Sequence, residues 1–176
     1  MRTVRHDDVP DQPWRNGGGT TRELHRDERW RLSVATITAT GPFSTFPGVT
    51  RWFAVARGTL VLDLDGAPHD VGGDVGGNAV LVFDGELPVV AHPEGEVLAV
   101  NVMATMPPGI TVVGGRYAGG SAVAVVDLDT LQAHFEVARG DLPALERAVV
   151  ILEASDVAVP RGRSRSRGSV HRLATD

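Results

Sequence analysis

The sequence has no cysteine and no lysine, so all 17 of its basic residues are arginines. Without cysteine there is no disulfide bond and no thiolate metal site, and without lysine there is no Schiff-base nucleophile. No run of about eighteen consecutive apolar residues occurs, so the pattern offers no membrane-spanning helix. The polar segment 1–8 lacks the apolar core of a signal peptide, and we therefore expect no export.

The charge balance argues against nucleic acid as the main partner. The formal net charge is −5, whereas phosphate binding needs a basic surface. The arginine-rich run at residues 160–168 resembles a nucleic-acid-binding tail, but it is short and has no aromatic residues to stack on bases. We expect a solvated loop between two strands there, with RNA binding as a minor alternative.

Short valine-rich runs separated by glycine turns predict an all-β protein, built as a barrel or a sandwich. The clearest run is 30–37, whose alternation predicts a half-buried strand with two faces. One face carries Trp30, Leu32, Val34 and Thr36, and the other carries Arg31, Ser33, Ala35 and Ile37. Residues 21–26 alternate less clearly, and further strands are predicted at residues 2–6, 52–56, 59–65, 79–83, 88–91, 97–103, 110–114, 121–128, 148–152 and 169–173.

The segment 106–109, Met-Pro-Pro-Gly, is the predicted internal boundary, because two prolines and a glycine cannot continue a central strand. It divides the chain into two β units, residues 1–106 and 107–176, whose termini could cross from one unit to the other. The region 128–147 is ambiguous, and residues 141–147 could form one helical turn.

Three successive glycines, Gly17 to Gly19, follow Asn16 in the densest motif of the chain. Glycines are costly in regular elements, so this run indicates a loop with positive φ or a close backbone approach. The simpler interpretation is a hairpin turn, since Asn-Gly readily adopts type I′ geometry. A phosphate loop is less favoured, because neither Gly-Lys-Ser/Thr nor GxGxxG occurs.

Patterns for metal binding and for nucleophilic catalysis are lacking. No Gly-x-Ser-x-Gly occurs, and the histidines do not form the usual local ligand pairs, so we predict no metal site and no cofactor. Glu23 could act as a general base, but an ion-paired surface carboxylate near Arg22 is the commoner case. The six histidines stand singly, at His6, His25, His69, His92, His134 and His171.

Four ordered blocks, at residues 13–23, 30–35, 41–51 and 101–103, together resemble the HutD/Ves family. The resemblance covers roughly the first 105 residues. It implies a cupin-like β-barrel fold arranged as a bicupin, two β-barrels in one chain, in a cytoplasmic bacterial protein without the usual cupin metal ligands. It also implies a link to histidine utilisation in some members and to stress response in others. No enzymatic activity is established for the family as a whole.

If the first barrel resembles the family's, its pocket is lined by inward side chains of these blocks. Arg22 or Arg51 would pair with a ligand carboxylate, and Asn16 and Asn101 would orient its other polar atoms. The family pattern usually has an acidic residue at the position of Ala99, and its absence here predicts a different or more anionic ligand, or weak binding. The predicted pocket residues are Asn16, Thr20, Arg22, Ser33, Phe46, Arg51, Phe83, Asn101 and Met103, of which Phe46, Phe83 and Met103 supply apolar wall.

The resulting hypothesis is a metal-free bicupin that binds a small carboxylated metabolite, with histidine-degradation intermediates as candidates, and acts as a sensor or modulator without catalysis. The first alternative is a metal-independent isomerase or hydrolase that uses Glu23 or a histidine. The second is a structural or protein-interaction module whose barrel is filled by side chains. Exposed edge strands could pair with strands of a second copy, so the sequence also allows a homodimer.

Overall fold

The computed structural model describes residues 1–72 and 79–154 and the backbone of residues 171–173. These residues confirm the predicted all-β class. They form a 3-10 turn at His6–Asp8 and sixteen strands, but no helix long and apolar enough to cross a membrane. The strands are β1 (Arg2–Arg5), β2 (Gln12–Pro13), β3 (Gly19–Arg26), β4 (Trp30–Ile37), β5 (Gly41–Pro42), β6 (Val49–Arg57), β7 (Thr59–Leu64), β8 (Ala67–Gly72), β9 (Val80–Asp84), β10 (Val89–Pro93), β11 (Val97–Thr105), β12 (Ile110–Tyr117), β13 (Ala122–Asp127), β14 (Gln132–Val137), β15 (Leu145–Glu153) and β16 (His171–Leu173).

The strands pair into three open sheets. The central sheet has seven strands in the order β16-β9-β6-β11-β4-β3-β2. The front sheet has four, in the order β5-β10-β7-β8, and the back sheet has five, in the order β1-β14-β13-β15-β12. Pairing among the described residues closes no barrel. The predicted closed barrels are therefore replaced by sheets packed face to face.

The central sheet is buried on both of its faces. In β4, Trp30 and Val34 belong to the hydrophobic cluster shared with the back sheet, whereas Ala35 and Ile37 belong to the cluster shared with the front sheet. Side chains alternate between faces along a strand, so the predicted two faces of residues 30–37 are correct. The predicted half-burial is wrong, because a second sheet covers the face that the pattern left to solvent.

Strands from the ends of the chain pair far from their neighbours in sequence. Strand β1 pairs with β14 at the edge of the back sheet, with Arg2 opposite Phe135. Strand β16 pairs with β9 at the edge of the central sheet. The division of the chain at residues 106 and 107 stays a prediction.

Most predicted strands are present within one or two residues of their expected bounds. The helical turn predicted at residues 141–147 is wrong, because β15 begins at Leu145 and pairs with both β12 and β13. Strands β2, β5, β8 and β14 were not predicted, since they are short or their apolar patterns are short. The arginine-rich run at residues 160–168 lies outside the described residues.

Candidate ligand-binding site

The candidate site lies on the front face of the central sheet, where three long strands run side by side. Strand β11 pairs with β4 and β6, which places Met103 between Arg31 and Arg51. Two residues earlier on β11, Asn101 lies between Ser33 and Phe53 in the same way. Residues paired across neighbouring strands point to the same face, so the strand register brings two guanidiniums and an amide to one surface.

A cavity of about 460 Å³ opens above these residues, within the size range of small-molecule sites. Its floor is the central sheet, and its walls come from the loop before β3 and the aromatic loop after β5. None of the described residues that line the cavity carries a carboxylate. They are Trp14, Arg15, Asn16, Thr21, Arg31, Ser33, Ala35, Pro42, Phe43, Ser44, Phe46, Arg51, Phe53, Asn101 and Met103.

The glycine-rich segment forms one wall of the cavity. Asn16 Oδ1 accepts a hydrogen bond from the Gly18 amide at 3.0 Å, and Asn16 Nδ2 donates to the Pro42 carbonyl at 3.3 Å. Gly17 has a φ of +72°, whereas Asn16 has no positive φ, so the hairpin turn is not of type I′. Asn16 therefore ties this loop to β5, and both of its polar groups are already hydrogen-bonded.

Aromatic rings surround the guanidinium of Arg51. Its Cζ lies 5.2 Å from the ring centroid of Phe43, 5.7 Å from that of Phe46 and 5.2 Å from that of Phe83. Guanidiniums are attracted to ring faces at such distances. The rings hold the side chain in place, and they also exclude water from it.

Arg51 is a buried cation without a counter-ion among the described residues. It is 4% exposed, its Nη1 donates to the Ser44 carbonyl at 3.3 Å, and its Nε has no hydrogen-bond partner. Burial first, and then the nearby Arg31 guanidinium, lower the pKa of Arg51 to about 10. The group thus stays protonated at neutral pH, with donors left for an anion.

Arg31 differs from Arg51 because it has a carboxylate partner. Its Nε lies 2.8 Å from Glu23 Oε2. Glu23 also accepts two hydrogen bonds of 2.9 Å from Arg26. The Arg26 hydrogen bonds, and then the Arg31 charge, hold the pKa of Glu23 below its usual value against the opposing effect of burial.

Asn101 supplies an unsatisfied hydrogen-bond acceptor to the cavity. The residue is 8% exposed, and its side-chain Oδ1 has no hydrogen-bond partner among the described residues. Such a group costs free energy unless something binds to it. It could accept a hydrogen bond from the polar part of a ligand.

Six of the nine predicted pocket residues meet at this cavity, namely Asn16, Ser33, Phe46, Arg51, Asn101 and Met103. Thr20 and Arg22 do not line it. They pair with Thr36 and Val34 and so point to the back face of the sheet.

Arg22 is bound to the chain itself. Its Nη1 donates to the carbonyl oxygens of His6, Asp7 and Val9, at 3.2, 3.3 and 3.0 Å. These three hydrogen bonds from Arg22 fix the 3-10 turn at His6–Asp8. Phe83 is paired with Arg51 across β6 and β9, belongs to the front cluster and does not line the cavity either.

Several lining residues were missed, although the sequence carried a signal for two of them. Arg31 shares a predicted strand face with Ser33, and Thr21 is adjacent to the predicted Thr20. Trp14 Nε1 donates to Thr21 Oγ1 at 2.7 Å, which secures the wall. Phe43 and Phe53 were not among the predicted pocket residues, and both line the cavity.

The described residues contain no cluster of three or more histidine, aspartate or glutamate side chains arranged to hold a metal ion. Ala99 is fully buried in the front cluster, two residues before Asn101 on the same strand face. The effect of an alanine at this position on ligand choice stays a prediction.

Fold and cavity together define an all-β protein with an arginine-containing cavity on the front face of its central sheet. The chain belongs to the HutD family, whose model matches residues 6–111. This confirms the HutD/Ves resemblance seen in the sequence.

Two curated relatives match parts of the chain. An uncharacterized 21.2 kDa protein in the hutC 3′ region of Pseudomonas putida is 42% identical over 76 residues, which is 39% of this chain and 40% of that protein. Protein Ves of Citrobacter koseri is 43% identical over 60 residues, 31% of each chain. The matches thus span well under half the length of these relatives.

Among solved structures, HutD from Pseudomonas fluorescens SBW25 is similar with a TM-score of 0.64 and 24% identity, covering 86% of this chain and 96% of that one. This likeness shows the fold. Cupin domains also occur among the structural matches, one of them at a TM-score of 0.43.

Proposed function

We propose that this protein binds a small carboxylate in the front cavity without converting it, and that binding serves a sensing or regulatory role. The observation that carries the proposal is Arg51, a buried guanidinium with free donors and no carboxylate partner among the described residues. A buried unpaired charge is costly to a fold. A ligand carboxylate would supply the missing counter-charge.

The rest of the cavity fits a carboxylate attached to a flat body. Guanidinium donors match a carboxylate in a two-pronged geometry. Phe43 and Phe53 offer apolar wall for a planar group, and the free Asn101 Oδ1 can accept one hydrogen bond from it. Acids that combine a carboxylate with a small ring or a second polar group are therefore the best candidates.

Family membership supports a connection with histidine utilisation. One relative is described by its place in the hutC 3′ region, and one similar structure is a HutD protein described in a formate condition. We therefore propose histidine-degradation intermediates such as urocanate as candidate ligands in a cytoplasmic, bacterial setting.

The enzymatic alternative is weakened by the position of Glu23. Its carboxylate does not line the cavity, and two arginines hold it. A carboxylate whose pKa is lowered is a poorer proton acceptor. The alternative of a filled structural barrel is weakened by the cavity itself.

The bicupin architecture and the dimer belong to the proposal as well. The central and front sheets would form one cupin-like unit, and the back sheet would form the smaller second unit. Strands β8 and β12 lie at the ends of their sheets, where a second copy could add strands.

The test is thermal unfolding and titration calorimetry of the purified protein with formate, benzoate, urocanate, formylglutamate and glutamate, with and without a chelator. A ligand at a hundredfold its Kd stabilises by about 2.7 kcal/mol, which raises Tm by about 5–10 °C for a chain of this length. Arg51→Met should weaken binding by about 1.5–3 kcal/mol. Arg22→Met is the matched control, since Arg22 lies outside the cavity.

The outcomes separate the hypotheses. A chelator-insensitive Tm shift that Arg51→Met removes and Arg22→Met keeps would support the proposal. Conversion of a bound acid during long incubation would favour an enzyme. No shift with any acid would overturn carboxylate binding and favour a protein partner, while a shift lost with the chelator would indicate a metal.

A further inference from the structure

The buried Arg51 and the half-buried Arg31 of the cavity are not equivalent, and the difference comes from Glu23. Neither Nε makes an aligned hydrogen bond, but Arg31 Nε forms an ion pair at 2.8 Å from Glu23 Oε2, whereas Arg51 has no carboxylate partner among the described residues. We propose that Glu23 sets the charge class of the ligand, so that the cavity accepts one anionic group at Arg51 and discriminates against a second. This inference rests on the proposed carboxylate binding.

The charges around the cavity support a site for a single anion. The three charged lining residues are Arg15, Arg31 and Arg51. Arg15 is exposed at the rim, where water screens its charge. Glu23 offsets the charge of Arg31, which leaves Arg51 as the one buried cation without compensation among the described lining residues.

Arg26 is a second partner of the Glu23 carboxylate. Its Nε and Nη2 each donate to a different Glu23 oxygen at 2.9 Å, a two-pronged contact that fixes the carboxylate. The Arg26 side chain is 59% exposed, so its own charge is largely solvated. Arg26 thus shares the Glu23 carboxylate with Arg31 but does not itself line the cavity.

A dicarboxylate of suitable length could reach both arginines. Arg31 and Arg51 flank Met103 on three adjacent strands, so their backbones are about 10 Å apart. A second carboxylate placed near Arg31 would meet a guanidinium that is already paired, and it would be repelled by Glu23. The geometry thus favours a monoanion with a flat, uncharged body.

The test compares benzoate with isophthalate, which share one ring and differ by a second carboxylate. Calorimetry at pH 7 should show the native chain binding benzoate about tenfold more tightly than isophthalate. Glu23→Gln keeps the shape of the side chain and removes its charge. It should raise the isophthalate affinity about tenfold, the size expected for one charge-assisted contact, and should change benzoate affinity by less than about threefold.

Arg26→Gln is the matched control, because it removes the other partner of the same carboxylate. Glu23 then still faces Arg31, and the preference for benzoate should remain. The double variant Glu23→Gln with Arg31→Gln should lose the gain in isophthalate affinity, since the released guanidinium is gone. Should Glu23→Gln not fold, the ratio of benzoate to isophthalate affinity is still measured in the native chain and in Arg26→Gln. A native chain without a preference for benzoate then overturns the inference.

The failures can be told apart. If the native chain binds benzoate through Arg51 but binds isophthalate equally or more tightly, the role of Glu23 is overturned while carboxylate binding stands. The same conclusion follows if folded Glu23→Gln leaves the ratio of the two affinities unchanged. If neither acid binds to the native chain, the proposed function fails, and this inference fails with it.

Discussion

Gly19 and Thr36 approach each other so closely that a side chain at position 19 has no room. A Cβ built on Gly19 would lie 2.2 Å from the Thr36 carbonyl oxygen, a distance shorter than real Cβ atoms show. The close approach lets β3 begin directly against β4 and places the wall formed by Trp14 and Asn16 over the cavity. The position therefore demands glycine for packing reasons.

Gly19→Ala should destabilise the fold by about 3 kcal/mol, because the backbone must shift to relieve the overlap. Urea unfolding followed by tryptophan fluorescence measures the difference. Gly17→Ala is the comparison, since φ is +72° there and nothing lies within 4 Å of the added Cβ. It should cost about 1 kcal/mol, from backbone conformation alone. Equal costs at the two positions would contradict the packing explanation.

Arg51→Met should leave the free protein at least as stable as the native one, with a gain of about 1 kcal/mol in the free energy of unfolding. A buried cation that lacks a carboxylate partner is costly, and methionine fills similar space without the charge. Arg22→Met should instead lose about 1–2 kcal/mol, because three carbonyl contacts disappear. The same urea titration, done without ligand, tests both, and a large loss for Arg51→Met would mean that this residue is structural.

Glu23 should make the stability depend on pH on the acid side. Its hydrogen bonds from Arg26, together with the Arg31 charge, lower its pKa in the folded state below the usual 4.5. The unfolded state then binds its proton more readily, so the contribution is present above pH 4.5 and is lost as the pH falls further. Glu23→Gln should cost about 1 kcal/mol at pH 7 and nothing at the acid end. A difference that is constant with pH would contradict the role of this charge.

Tyr117 gives a direct spectroscopic test, since it is the single tyrosine of the sequence. Its hydroxyl donates to the Gly120 carbonyl. Burial first, and then the Asp141 charge, raise the pKa of Tyr117 above its usual 10.0. Ultraviolet titration should therefore show ionisation above pH 10, and Asp141→Asn should lower the midpoint.

The same tyrosine should contribute to stability in the direction opposite to Glu23. Because its folded pKa is raised, its contribution is complete below pH 10 and is lost as the pH rises through the folded value. Tyr117→Phe should cost about 1 kcal/mol at neutral pH, the value of one hydrogen bond. A midpoint at or below 10 would show that the ring is more open to water than in the structure.

The sequence by itself determined the class of the protein, most of its strands and its family. Glycine turns and valine-rich alternation are local signals, and local signals are enough to place strands and to separate the two faces of β4. Six of the cavity residues were selected through the HutD/Ves resemblance, whose ordered blocks include Asn16, Arg51 and Asn101.

Only the tertiary structure decided which faces meet. Sequence alternation cannot tell which of two opposite faces is covered, so Thr20 was chosen in place of Thr21, and Arg22 was given a ligand that its carbonyl partners exclude. The register of β4, β11 and β6 places Arg31 beside the cavity, and Glu23 of β3 is its carboxylate partner. The unequal roles of Arg31 and Arg51 depend on such contacts between distant strands, and a linear pattern carries no record of them.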